Sequence, residues 1–353
     1  MPVNPLAPPL LTANLPGIGG RIRQFPEDFE VEEIPAYEPS GTGDYLYLWI
    51  EKRELGAEYF VRQLAHKLDL PPGEVGTAGL KDRHAVTRQM VSVPARVESL
   101  LERIDGDGMK LLKIDRHGNK LKTGHLHGNR FRILVREPVP EAAERLPLLL
   151  ERLKAQGLPN YYGPQRFGHN GETLRIGLDL LHQTPGAKVP RSPFMRKLTL
   201  SAAQSALFND YLGRRLTDGL LRQVLPGDVM AKRPFGGMFV AEDLPTEQRR
   251  FEAGETVPAG PIFGRKTFRA AGLAAEREAA VLAEAGLTPA SFAGFGKLVQ
   301  GTRRHNLVFL DDLAAVAETD GIRLTFTLPA GSYATVLLQE IMKTQLADSD
   351  ATD

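Results

Sequence analysis

The chain has 353 residues, of which 42% are hydrophobic and 25% charged, with a formal net charge of +1 and no cysteine. That length suits two structural units. The missing thiols exclude disulfides, thiolate zinc sites and cysteine nucleophiles, and they fit a reducing, cytoplasmic setting.

In chain order, residues 1–20 hold several prolines and glycines and read as an extended arm rather than a signal peptide. From Arg21 to Ile50 short β-favouring runs (FEVEEI, YLYLWI) alternate with Pro/Gly turns, which predicts strands. Ala57 to Leu70 carries Phe60, Leu64, Ala65 and Leu68 at helical spacing and stops at Pro71-Pro72, which predicts a helix. The segment EVGTAGLKDRHAVTRQMVSVP reads as strand, glycine-bearing loop and strand. A basic stretch then predicts a hairpin with turns near Arg116–Asn119 and Gly124. Glu141 to Gln156 is helical again, with Gly157 as its cap.

The texture changes near Pro159. NYYGPQRFGHNG is rich in turn formers, Ser201 to Leu216 predicts a helix, and proline and glycine punctuate the chain through Arg265. An Ala/Glu-rich helix follows over Ala274 to Ala285. After Asn306 the β pattern returns with Ile322, Leu324 and Phe326. Pro329-Ala-Gly-Ser332 breaks that strand, and Ser332 is placed to cap a closing helix, Tyr333 to Leu346. These elements describe an α+β unit interrupted by an inserted domain and completed by the C-terminal strand and helix. No stretch is apolar over about 18 residues, so no membrane-spanning helix is expected.

Charge is uneven along the chain. Lys110, Lys113, Arg116, Lys120, Lys122, Arg130, Arg132 and Arg136 fall in one span in which Asp115 is the only acid. Such a stripe suits phosphates, and it equally suits a solvated strand face. Within Gly79-Leu80-Lys81-Asp82-Arg83-His84, one acid lies between two cations. Cations within about 4–6 Å keep a carboxylate ionised and able to act as nucleophile or base. The same pattern is also that of a surface loop, since sequence neighbours on a strand point apart. Phe131 stands between Arg130 and Arg132, as an aromatic face for an unstacked base would, or as the core residue of FRILV. Asn129 offers a donor and an acceptor that match the edge of a uracil. His125-x-His127 lacks an evident third ligand, so no metal site is expected. Phosphate-loop, dinucleotide and nucleophile-elbow patterns are all missing.

These residues also carry a resemblance. Pro26-Glu-Asp-Phe29 with Val31-Glu32, Ala78-Gly-Leu-Lys-Asp82-Arg-His-Ala-Val-Thr87 and Gly128-Asn-Arg-Phe131 occur in that order. Asn160-Tyr-Tyr-Gly-Pro-Gln-Arg-Phe-Gly168, Ser201-Ala-Ala-Gln-Ser-Ala-Leu-Phe-Asn209 and Leu328-Pro-Ala-Gly-Ser-Tyr-Ala-Thr335 follow. Over nearly the whole chain the sequence resembles the TruD family of tRNA pseudouridine synthases. The resemblance implies a pseudouridine synthase core at 1–157 plus 306–353, interrupted by a TRUD insertion domain at 158–305. It implies isomerisation of uridine 13 in tRNA, with Asp82 as nucleophile and with neither metal nor organic cofactor. Phe29, Asn129, Phe131 and Tyr333 match positions that contact the target nucleotide, and Arg23 matches a basic residue near the nucleophile. Tyr333 and Tyr162 stand where phenylalanine is usual, each adding a hydroxyl that needs a partner if buried. The partner implied is tRNA, with no obligate protein partner. The reading from another class is a non-catalytic RNA-binding or chaperone protein retaining the fold; a hydrolase that releases free uracil is a third.

Overall fold

A computed structural model of the protein describes residues 4–234 and 236–344. Residues 4–20 carry neither helix nor strand. The elements that follow are β1 (Phe29–Pro35), β2 (Tyr45–Arg53), α1 (Ala57–Lys67), β3 (Gly76–Thr77), β4 (Val86–Pro94), β5 (Met109–His117), β6 (Leu126–Arg136) and α2 (Ala142–Gln156). Next come β7 (Leu158–Pro159), α3 (Glu172–Leu181), α4 (Pro193–Thr217), β8 (Val229–Lys232), β9 (Met238–Val240), α5 (Leu244–Glu252) and β10 (Thr256–Ile262). The chain continues through α6 (Gly272–Glu284), β11 (Thr302–His305), β12 (Leu307–Val308), β13 (Ala314–Glu318), β14 (Gly321–Pro329) and α7 (Ala334–Met342). Among the described residues no helix is long and apolar enough to cross a membrane. Of the closing helix expected over 333–346, positions 345 and 346 lie outside the described residues.

Two compact units result. One is Ile18–Leu146 with Leu310–Ala334; the other is Pro147–Phe309 with the described parts of Met1–Gly17 and Thr335–Ala351. The first is α+β, built on an eight-stranded sheet in the order β13-β14-β6-β1-β4-β2-β5, with β3 also on β4. β1 and β4 run parallel, and the other pairs are antiparallel. Strand alternation sorts the side chains. Leu46, Leu48 and Ile50 of β2 join Val91 and Val93 of β4 in a core with Phe60, Leu64 and Leu68 from α1 and its end. The same face continues through Phe29 and Val31 on β1, Phe131 and Ile133 on β6, and Leu324 and Phe326 on β14, all buried. On the opposite face Arg88 pairs with Glu30 and Glu51 at 3.4 and 2.8 Å, and Arg130 reaches Glu32 at 3.5 Å.

The expected hairpin in the basic stretch does not form. β5 pairs with β2 at one edge of the sheet, whereas β6 lies between β1 and β14, so three strands separate them. Composition explains the sorting. β6 buries Phe131, Ile133, Leu134 and Val135 and gains from neighbours on both sides. β5 (MKLLKIDRH) keeps most side chains partly or fully exposed and suits an edge, where lysines blunt unwanted pairing.

The second unit centres on α4, most of whose residues from Thr199 to Arg215 are buried. It begins at Pro193, eight residues before the expected start. The Ser192 hydroxyl accepts from the Met195 N–H at 3.5 Å, and Pro193 occupies the first turn. Arg215 lies wholly buried near the end of α4, its guanidinium 2.6 Å from Asp228. A four-stranded sheet, β11-β10-β8-β9, completes the unit, although β10 (TVPAGPI) holds two prolines between two neighbouring strands. The N-terminal arm is tied to α7: the backbone N–H groups of Leu11 and Thr12 donate to the Glu340 carboxylate at 2.7 and 2.9 Å.

Candidate active site

Asp82 lies on the loop between β3 and β4. Along that loop Ala78, Lys81 and Ala85 are buried, whereas Leu80 and Arg83 are exposed, so the chain is fastened at intervals. Two buried ammonium groups do the fastening. Lys81 turns inward and meets Glu33 at 2.7 Å, with side-chain exposures of 4% and 1%. Burial raises the Glu33 pKa, and the attraction of Lys81 only partly offsets that rise. Lys52, fully buried on β2, donates to the backbone carbonyl of Asp82 at 2.9 Å and to the Leu55 carbonyl. These contacts set the backbone on both sides of the aspartate and leave its side chain 40% exposed.

The cation beside the Asp82 carboxylate comes from the segment just before β1. Arg21 and Arg136 exchange backbone hydrogen bonds at 2.8 Å, which pins that segment to β6. Arg23 then takes a left-handed φ of 60°, a conformation with a steric cost for arginine. Its guanidinium reaches Asp82 Oδ2 at 3.4 Å and lies 4.2 Å from the centre of the Phe29 ring. One planar cation therefore bridges the carboxylate and an aromatic face. Phe29 meets Phe131 edge to face at 6.3 Å, and Phe131 stacks on Phe326 at 5.1 Å.

Asn129 lies two residues from Phe131 on the same side of β6, opposite Glu33 on β1 and Leu328 on β14. Its carboxamide oxygen is buried without a hydrogen-bond partner. Gly128 lets β6 and β14 close up here, since a Cβ would fall 2.3 Å from the Leu328 carbonyl oxygen. Tyr333 is half-buried and follows the turn after β14, where the Ala330 N–H donates to the His127 carbonyl at 2.9 Å.

Of the sequence-derived residues, direct contacts thus join Asp82, Arg23, Phe29 and Phe131, and strand register adds Asn129. Burial sorts their parts. Phe29 and Phe131 are 1% and 6% exposed and form a floor, whereas Asp82, Asn129 and Tyr333 keep accessible surface. The other usual phenylalanine position, Tyr162, lies in the second unit, where the Arg304 guanidinium stacks 4.1 Å from its ring centre. Glu33, Lys52 and Phe326 were missed by sequence reasoning. Strand parity carries the signal for the first two, since each is a charged residue at an inward position of its strand.

The basic span proves to be largely occupied. Lys113 pairs with Asp115 at 2.7 Å, Arg116 with Glu98, and Arg136 with the buried Asp28 at 2.9 Å, while Lys120 donates to the Gly73 carbonyl. Lys110, Lys122 and Arg132 remain exposed. His125 Nδ1 lies 2.8 Å from the Tyr37 hydroxyl. Among the described residues no cluster of three or more His, Asp or Glu is placed to hold a metal ion.

Comparison with known proteins defines the class. The family model described as tRNA pseudouridine synthase D (TruD) matches residues 8–191 and 187–341. The tRNA pseudouridine synthase D of Anaeromyxobacter dehalogenans is 44% identical over 338 residues, covering 95% of this chain and 96% of the relative. A Thermus thermophilus protein of the same name is 43% identical over 341 residues, covering 96% and 93%. A crystal structure from Methanosarcina mazei, described under the same TruD name, superposes with a TM-score of 0.79 at 25% identity, covering 96% of this chain and 97% of that one. The fold and the family match are those of an RNA-modifying isomerase, a pseudouridine synthase. Within that class the chain belongs to the TruD family.

Proposed function

We propose that this protein converts uridine 13 of tRNA to pseudouridine in the cytoplasm, with Asp82 as the nucleophile. The observation that carries the reading is the bridge at Asp82: a partly exposed carboxylate, held at its backbone by Lys52, meets a guanidinium that also covers the Phe29 ring. The Arg23 cation favours the ionised carboxylate that nucleophilic attack requires. Asn129 supports the substrate assignment, because its unpartnered oxygen is an acceptor suited to a uracil N–H. Phe29 and Phe131 shape the floor beneath the base, and Tyr333 offers an aromatic face beside it.

Isomerisation breaks the bond between uracil N1 and the ribose and forms one from C5 to the same ribose carbon, with the C5 proton lost and N1 protonated. A carboxylate adduct holds the separated fragment and divides one hard step into easier ones. Asp82 can form it at the ribose or at the base, or can act by removing a ribose proton. We assign this chemistry to a core at 1–157 plus 306–353 and tRNA docking partly to the insertion at 158–305. As compact units, residues 4–17, 147–157, 306–309 and 335–344 group with the insertion.

The test is pseudouridine content in unmodified tRNA incubated, without added cofactor, with wild type or Asp82→Asn. Product from the wild type alone supports the reaction and the nucleophile. No product from either, with tRNA binding retained in both, would replace the enzyme reading by that of an RNA-binding protein. Free uracil would point to a hydrolase.

A further inference from the structure

Leu80 stands two residues before Asp82 and is 82% exposed, the most exposed large hydrophobic side chain among the described residues. An isolated leucine on a protein surface ordinarily needs no explanation. This one is distinguished by how firmly it is held outward. Before it, the Ala78 carbonyl accepts the Gly124 N–H at 2.8 Å. After it, Lys81 is buried against Glu33 and the Asp82 carbonyl is held by Lys52. Leu80 therefore projects from a backbone fastened on both sides, at a fixed separation from the nucleophile. Two residues of extended chain span at most about 7 Å, and stacked bases along one strand are about 3.4 Å apart. A side chain at Leu80 can thus occupy a base step while Asp82 faces the nucleotide displaced from it.

We propose that Leu80 is an apolar wedge that enters the RNA stack and fills the space left by the target uracil when that base turns toward Asp82. The inference rests on the reading of Asp82 as a nucleophile acting on tRNA. A base must leave its stack before such chemistry, at a cost of unstacking and unpairing. Inserted leucine, phenylalanine or methionine side chains hold base steps apart in other nucleic-acid complexes. Leucine has no polar atom in its side chain, so it covers the faces of flanking bases whatever their identity.

The experiment uses the full chain and an unmodified tRNA transcript. Single-turnover pseudouridine formation is compared for wild type, Leu80→Ala and Leu80→Met. In parallel, transcripts with 2-aminopurine beside the target uridine report unstacking when bound by Asp82→Asn and by Leu80→Ala/Asp82→Asn. The expected result is a fall of about tenfold or more in the Leu80→Ala rate, largely restored by methionine, with tRNA affinity nearly unchanged and the fluorescence rise lost in the double variant. An unchanged Leu80→Ala rate overturns the proposal, and so does a slowed rate with the fluorescence rise intact. If the wild type forms no pseudouridine, it is the function itself that fails. An active wild type with an equally active Leu80→Ala removes only the wedge.

Discussion

Replacing Glu33 by glutamine should destabilise the first unit sharply, and removing Lys81 as well should restore most of the loss. Glu33 and Lys81 are almost wholly out of water and 2.7 Å apart. Glu33→Gln leaves an ammonium in the interior with no counter-charge on it, a change that costs about 3–5 kcal/mol in buried pairs. That is a large share of the roughly 5–15 kcal/mol that holds a typical domain together. Glu33→Gln/Lys81→Met removes both charges and should fall within about 1–2 kcal/mol of wild type, or exceed it. Urea unfolding followed by tryptophan fluorescence reads the right unit. The only tryptophan, Trp49, lies on β2 and packs with Met90, whose N–H approaches the Glu33 carboxylate at 3.4 Å. With a urea slope of about 1–3 kcal/mol per molar, the single variant should lower the midpoint by at least ~1 M. Strictly additive losses in the cycle would refute the reasoning, as would a shift in the single variant too small to resolve. The stable double variant should still be slow at forming pseudouridine, because the residue adjoining Asp82 has lost its anchor. Full activity there would mean that the pair serves folding alone.

Two further outcomes follow from buried charges. Lys52→Met removes the donor to the Asp82 carbonyl and should lower kcat by about tenfold or more with little change in tRNA affinity, since misplacing a reacting group affects chemistry before binding; a weakened Kd with unchanged kcat would contradict this. In the second unit, burial first, then Arg233 and Arg304, hold the His305 pKa below its ordinary 6.5. Its contribution to stability is present above pH 6.5 and is lost as pH falls toward the lowered folded value, because the unfolded chain takes up the proton first. Thermal melts from pH 7.5 downward should therefore fall more steeply for wild type than for His305→Gln, and parallel curves would reject the assignment.

Strands β1, β2 and β4 were legible as short β-favouring runs set off by turns and a glycine-bearing loop, β14 because it alternates, and α1, α2 and α6 because their apolar positions or composition marked them. The second unit was harder to read for a physical reason. Pro258 and Pro261 lie within β10, against the preference of single residues, and the environment of packed neighbours prevails over propensity. At the candidate site, the motif singles out Asp82, but the sequence does not show its partners. Lys81 and Arg83 flank it in sequence, yet Lys81 turns to Glu33 and the guanidinium on the carboxylate belongs to Arg23, 59 positions away in the chain. A cation count cannot distinguish these uses, because a lysine that binds phosphate and a lysine that anchors a loop have the same composition. Burial distinguishes them. Lys52 and Lys81 are sequestered and hold the backbone around the aspartate, and Arg136 is committed to Asp28. Lys110, Lys122 and Arg132 keep their charge in water, where it remains available to a polyanion. The cations that hold the Asp82 loop and those that can meet a polyanion are therefore different residues.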